Sequence, residues 1–424
     1  MVAQSDAYPS NAARQQCSSQ DTREGESAGR TLHMPQEVVD MIIDELGSTY
    51  QRATLYACSL TCRAWVHRCR MHIHSAIRID HTSHINRLIE LYATPTSSLA
   101  PYVRSLSIDA CVDGIPAKKH DWIDTSRPLL RALTRIERLS LDGIAWPDLE
   151  LETREILLDH YGESIRDLWV ATCDFRKASH LVALLEAFPR VQSVRMEGSS
   201  WEEPGWDKFD QTDTTLRLHW LDVGDLCNPP SLVARWARRH RAISIENLHF
   251  SWGSEDPDIL GQLLRSAGDS VKLLSLTLDD TFGEWITGED AKRTTQEILD
   301  LSHNRELRTF RFVARLEGCG PTDVSWISDL LSQLISPHLT LISIYMEMPS
   351  HGHLETVDWG KIDTALSGGR LRDLKTVDLC TSLQLVNPSS SGDGGVSQDS
   401  SSPVPLIELL PMLNKRGVLQ ITEW

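Results

Sequence analysis

Six potential metal ligands crowd into residues 58–74: Cys58, Cys62, His67, Cys69, His72 and His74. A structural zinc would need thiolates and imidazoles converging on one point. Cys58-x-x-x-Cys62 would put two thiols on one helix face, but the spacing matches no usual finger. Cysteine also packs as a small hydrophobe, so the cluster reads as core and no metal is expected. Asp279–Asp280 and Glu202–Glu203 are adjacent acids, which point to opposite sides of a strand or loop. There is no Gly-x-Ser-x-Gly elbow, no His-Glu-x-x-His, no phosphate loop ending in Lys-Ser/Thr and no dinucleotide fingerprint. The expectation is a chain with no catalytic residue and no cofactor. A weaker reading, a hydrolase built from carboxylates of distant segments, stays open. Arg235-x-x-Arg238-Arg239-His240-Arg241, the strongest basic run, reads as a solvated helix end, where cations suit the dipole.

Charge and length narrow the class. Acidic residues outnumber basic ones, 59 to 42, for a formal charge of −17. That excludes a general nucleic-acid binder, which needs a basic footprint, and disfavours an anionic membrane surface. A chain of 424 residues is too long for one compact globule. No apolar run is long enough to span a bilayer, and the N-terminus lacks the order of a signal peptide. Nine cysteines form no disulfide framework, and Pro388 blocks Asn387, the nearest match to a glycosylation acceptor. These features point to a reducing compartment, cytoplasmic or nuclear.

The elements that would position side chains fall into two kinds. Near the N-terminus, Pro35 stands where a helix begins, and Val38, Ile42 and Leu46 recur every four residues, broadened by Val39 and Ile43. A second apolar set, Leu55, Cys58, Cys62 and Trp65, keeps helical steps. From residue 81 onward a unit apolar-x-x-apolar-x-apolar recurs ten times, from Val103/Leu106/Ile108 to Leu374/Val377/Leu379, with starts 26 to 36 residues apart. Helical stripes separate the copies, as from His180 to Phe188 and from Ile259 to Leu264. His74–Ile79 alternates like an extra first strand, and Leu419-x-Ile421 like a last fragment. Strand, loop and helix repeated about every 30 residues predict an α/β repeat solenoid with a parallel inner sheet, preceded by a small all-α module. Residues 1–30 read as a disordered tail, 31–80 as the helical module and 81–424 as the solenoid, with 388–403 a low-complexity loop.

Residues 32–65, Leu-His-Met-Pro-Gln-Glu-Val-Val-Asp-Met-Ile-Ile-Asp-Glu-Leu followed by Cys-Ser-Leu-Thr-Cys-Arg-Ala-Trp, resemble an F-box. The order F-box, short strand, helix, then Leu99-Ala-Pro-Tyr-Val-Arg-Ser-Leu-Ser-Ile looks like the F-box proteins of mushroom-type fungi. The later repeats resemble leucine-rich repeats, in a divergent form that lacks the usual Asn after most strands. The resemblance implies a non-catalytic substrate receptor of a cullin–RING ubiquitin ligase, docked on a Skp-type adaptor. It assigns Leu32, Met34, Pro35, Val38, Ile42, Ile43, Leu46, Leu60 and Trp65 to the adaptor face. The alternative is a ligase-independent scaffold whose N-terminal helices only cap the solenoid; it predicts that no apolar patch is left exposed there.

The solvent-side position inside each strand signature runs Ser107, Ser140, Trp169, Arg195, Asp222, His249, Ser275, Arg311, Ser343 and Asp378. Mixed polar residues are the default for such a face. Trp169, Arg195, Trp220, His249, Arg311 and Tyr345 are the types that anchor protein interfaces, so the concave face is the expected site for a target protein, whose identity the residues leave open.

Overall fold

Three helices open the described chain. The computed structural model describes residues 34–49, 51–112, 115–116, 121–201, 212–224, 227, 231–252, 258–279, 294–315, 324–348, 357–383 and 406–423. The tail 1–30, Leu32, Glu202, Glu203, Asp280 and the 388–403 stretch lie outside them. Helix α1 (Gln36–Ser48) follows Pro35 directly; α2 (Arg52–Thr61) and α3 (Arg63–Ile73) pack beside it. The second apolar set does not make one continuous helix. Cys62 adopts extended backbone, φ −146° and ψ 137°, and separates α2 from α3, so Cys58 and Cys62 do not share a helix face. Val39, Ile43, Leu55, Cys69 and Ile73 close a small core, with Leu46, Cys58 and Trp65 against it. Asp44 ties α1 to α3, accepting from Arg68 and bonding His72 Nε2 at 2.8 Å.

The remaining chain builds one sheet. Its strands are β1 (Ala76–Asp80), β2 (Ser105–Asp109), β5 (Arg138–Asp142), β6 (Asp167–Ala171), β7 (Ser193–Glu197), β8 (Thr212–Val223), β9 (His240–Trp252), β10 (Leu273–Asp279), β11 (Thr309–Arg315), β12 (Leu341–Met348), β13 (Thr376–Leu383) and β14 (Leu419–Glu423). All twelve pair in chain order and in parallel. Among the described residues only β3 (Cys111–Val112) and β4 (Ile115–Pro116) stand apart, as a two-stranded antiparallel pair. This is an α/β repeat solenoid. The sheet already begins at Ala76, inside the span that the sequence assigned to the helical module, and Ile77 and Ile79 belong to the large core.

The repeat signature explains the architecture. All three apolar positions of all ten copies are buried, from Val103, Leu106 and Ile108 to Leu374, Val377 and Leu379. A parallel connection must cross over, and the crossing segments bring their own apolar stripes to the same side. The helix Ala178–Glu186 buries Leu181, Val182, Leu184 and Leu185; Asp258–Ala267 buries Leu260, Leu263 and Leu264. Burial of so many aliphatic side chains at about 25 cal/mol per Å² is the main cohesive term. Stacking is close: a Cβ on Gly261 would lie 1.9 Å from the Ile298 carbonyl oxygen of the next repeat. Buried polar groups staple neighbours. Asn304 Nδ2 donates to the carbonyls of Leu264 (3.2 Å) and Gly268 (2.9 Å), and Tyr161 donates to that of Leu130 at 2.7 Å. Asp363 accepts the backbone N–H groups of Met412 and Leu413, both at 2.8 Å, closing the C-terminal end. No helix among the described residues is long and apolar enough to cross a membrane.

Candidate functional site

Two surfaces carry the side chains singled out by sequence. The first is a ridge on α1 and α2. Met34, Val38 and Ile42 are exposed, and Leu60 is 89% exposed. Two further members had not been anticipated: Met41, 71% exposed, and Tyr56, 53% exposed. Met41 stands three residues after Val38 and Tyr56 four before Leu60, so helical spacing was the signal available for both. Three residues assigned to the adaptor face turn the other way. Ile43 is only 1% exposed, and Leu46 and Trp65 are half-buried against the module's own core. They can support the ridge from behind but do not present it. Pro35 is exposed and precedes α1, and Leu32 lies outside the described residues.

The module's core is separate from that of the solenoid. Polar contacts join the two: His67 Nδ1 to the Tyr102 hydroxyl and His74 Nδ1 to the Tyr92 hydroxyl, each 2.9 Å. Burial pushes His74 below its ordinary range, which favours the neutral imidazole. The solenoid therefore grips α3, while the outer flanks of α1 and α2 stay uncovered.

The second surface is the open face of the sheet. Register places Ser107, Ser140, Trp169, Arg195, Asp222, His249, Ser275, Arg311, Ser343 and Asp378 side by side in one row across adjacent strands. Trp169 is 43% exposed in mid-strand. Asp222 bridges its neighbours, with Arg195 Nε at 3.2 Å and His249 Nδ1 at 2.8 Å. The outward alternation had placed Asp222 in this row without marking it as the joint between two anchors. Arg311 stands between Ser275 and Ser343 with no acidic partner among the described residues. Trp220 lies one step toward the strand starts, half-buried, and its indole N–H has no partner among the described residues. Tyr345 lies one step toward the strand ends, half-buried. Paired polar groups and an exposed indole on a parallel sheet suit the grip of a protein surface.

Other chemistry-bearing clusters are internally satisfied. Asp109, Cys111 and Asp142 bring ligand atoms within 4.8 Å of one another. Yet Asp109 accepts from Arg78 and from the Cys111 backbone N–H at 2.9 Å, and Asp142 accepts from Thr172 Oγ1 at 2.6 Å. Burial raises the Cys69, Cys111 and Cys380 thiols and pushes Cys227 up to about 11 and Cys173 up to about 12. Thiols held protonated are poor nucleophiles and poor metal ligands. The shifted carboxylates, Asp44, Asp80, Glu246 and Asp300, all move down and stay ionised at neutral pH. The basic run is anchored: Arg239 pairs with Glu186 and Arg241 with Asp213.

No protein-family model and no curated protein matches the chain. Eleven chains of solved structures do. One comes from the crystal structure of a Rad7 and Elc1 complex in yeast, 12% identical, covering 82% of this chain and 87% of that one at a TM-score of 0.34. The fold assignment rests on the strand ladder itself.

Proposed function

We propose that this chain is the substrate-recognition subunit of an SCF-type cullin–RING ubiquitin ligase. In this reading the ridge Met34, Val38, Met41, Ile42, Tyr56 and Leu60 docks the Skp-type adaptor, and the open sheet face holds a target protein. The single observation behind it is that ridge: six large apolar side chains left in water although the module behind them has already closed its own core. Such a patch marks an interaction site. The scaffold alternative required the opposite, N-terminal helices with nothing apolar uncovered. Covering several hundred Å² at about 25 cal/mol per Å² would supply on the order of 10 kcal/mol before association costs. The chain would contribute proximity and orientation, and no reacting group.

Co-purification tests it. Met41→Asp with Ile42→Asp removes two exposed side chains, so the fold should persist while a co-expressed Skp-type adaptor no longer copurifies. Adaptor retained by this double variant, at wild-type yield, would reject the assignment.

A further inference from the structure

Strands β8 and β9 are out of proportion to their neighbours. They run 12 and 13 residues, whereas β5, β6 and β7 run five each. β7 pairs with β8 only from Trp220 onward, where the His219 and Trp220 N–H groups both reach the Gln192 carbonyl. Before that point β8 is paired on its β9 side alone among the described residues, through Thr215↔Ala242, Leu216↔Ile243, Arg217↔Ser244 and Leu218↔Ile245. Two successive N–H groups on one side break the alternation at His219–Trp220, and burial flips with it, Leu216 and Leu218 sharing the interior face with Leu221 and Val223; upstream of the break the backbone groups of Arg217 and Thr215 therefore take the β7 side. They meet no strand there among the described residues. A cleft of about 720 Å³ lies instead, between this edge and the turn Phe188–Gln192. That volume falls in the range of ligand pockets, about 300–1,000 Å³.

We propose that this free edge of β8 accepts an extended segment of a partner protein, alternating apolar and acidic residues, as an added strand. The alternation follows from the walls. Leu185, Phe188, Val191 and Trp236 make one side apolar. On the other side stand Arg166 and Arg217, both exposed and without an acidic partner among the described residues. The acids that could have cancelled them are engaged elsewhere: Glu186 with Arg239, and Glu163 with Arg190. A strand laid here would send every second side chain toward the apolar wall and the others toward the two guanidinium groups. Main-chain bonds to the edge would supply affinity and the alternation specificity. Unpaired edges are ordinarily blunted by proline or covered; residues 215–218, Thr-Leu-Arg-Leu, contain no proline. This goes beyond adaptor docking: the cleft lies at the strand starts, off the row of Trp169 and Arg311, and a chain unable to hold an adaptor would still possess it.

The test uses the full chain and a fluorescein-labelled hexapeptide, Glu-Val-Glu-Val-Glu-Val, read by polarisation and by backbone amide exchange. The acidic peptide should bind and slow exchange at Thr215 and Arg217. A Lys-Val counterpart, and an acidic peptide with its central Val changed to Pro, should each bind at least about tenfold more weakly. Arg166→Glu with Arg217→Glu changes two exposed side chains, and should reverse the preference between acidic and basic peptides with circular dichroism unchanged. No binding up to about 1 mM, the weak end of the affinity scale, would overturn the proposal. So would equal affinity for both peptides, or protection elsewhere in the chain. Binding that emerges only after residues 202–211 are replaced by a Gly-Ser linker would equally overturn it, because the chain would then be filling its own cleft.

Discussion

Asp44 shows how much one side chain decides in a module this small. Arg68 donates to its carboxylate, His72 adds a second bond, and together they hold its pKa at about 2 against an ordinary 3.8. The folded carboxyl titrates lower than the unfolded one, so its contribution is fully present above about pH 4 and is lost as the pH falls through 2. Its side chain is 40% exposed, so solvent screening holds that contribution to about 1 kcal/mol. Asp44→Asn should lower the stability of the module at neutral pH, and the gap to wild type should close between pH 4 and pH 2; parallel melting curves at stepped pH check this. The sequence could show that α1 was apolar on adjoining faces, because Val38 and Val39, or Ile42 and Ile43, cannot both point inward. It could not say which of each pair would. That choice belongs to α3, whose Cys69 and Ile73 meet Val39 and Ile43 and leave Val38, Met41 and Ile42 outside.

At the scale of elements, the repeat signature was legible in detail. Every apolar position of the ten copies is interior, and the outward row falls in register from β2 to β13. Two features escaped. Strand length did, because a six-residue signature says where a strand crosses the core and nothing about how far Thr212–Arg217 and His240–Ser244 run before it. The break at Cys62 did as well, since Cys58, Cys62 and Trp65 keep helical spacing whether or not the backbone does. The end of the solenoid depends on an element no pattern disclosed: Asp363, in the helix Trp359–Ser367, accepts the first N–H groups of the helix Pro411–Arg416 from 49 residues away. Removing a buried acceptor strands both donors, at about 1–3 kcal/mol. Asp363→Ala should therefore speed amide exchange across 411–423 and leave β2 to β7 unchanged. Exchange that rises evenly along the chain would show the end to be no separate unit.

The whole molecule divides its apolar surface unequally. A continuous core runs from Ile77 to Val418 beneath the twelve strands, while among the described residues the helical module keeps a core of five buried residues and leaves seven large apolar side chains exposed, six of them on or just before α1 and α2 and the seventh, Met71, on α3. A solenoid end needs only to be capped; α3 and its histidines already do that, through Tyr92 and Tyr102. The uncovered ridge is therefore surplus to the fold and free to be covered by a second subunit. Calorimetric titration of the full chain with a purified Skp-type adaptor, repeated at several temperatures, tests it most directly. Saturable binding with a negative heat-capacity change, the mark of apolar burial, is the expected result. That binding should vanish in Met41→Asp/Ile42→Asp and persist in Trp169→Ala. Absence of binding at about 100 μM, a concentration far above that needed by a specific complex of nanomolar to micromolar Kd, or binding lost with Trp169 and kept with the ridge removed, would contradict it.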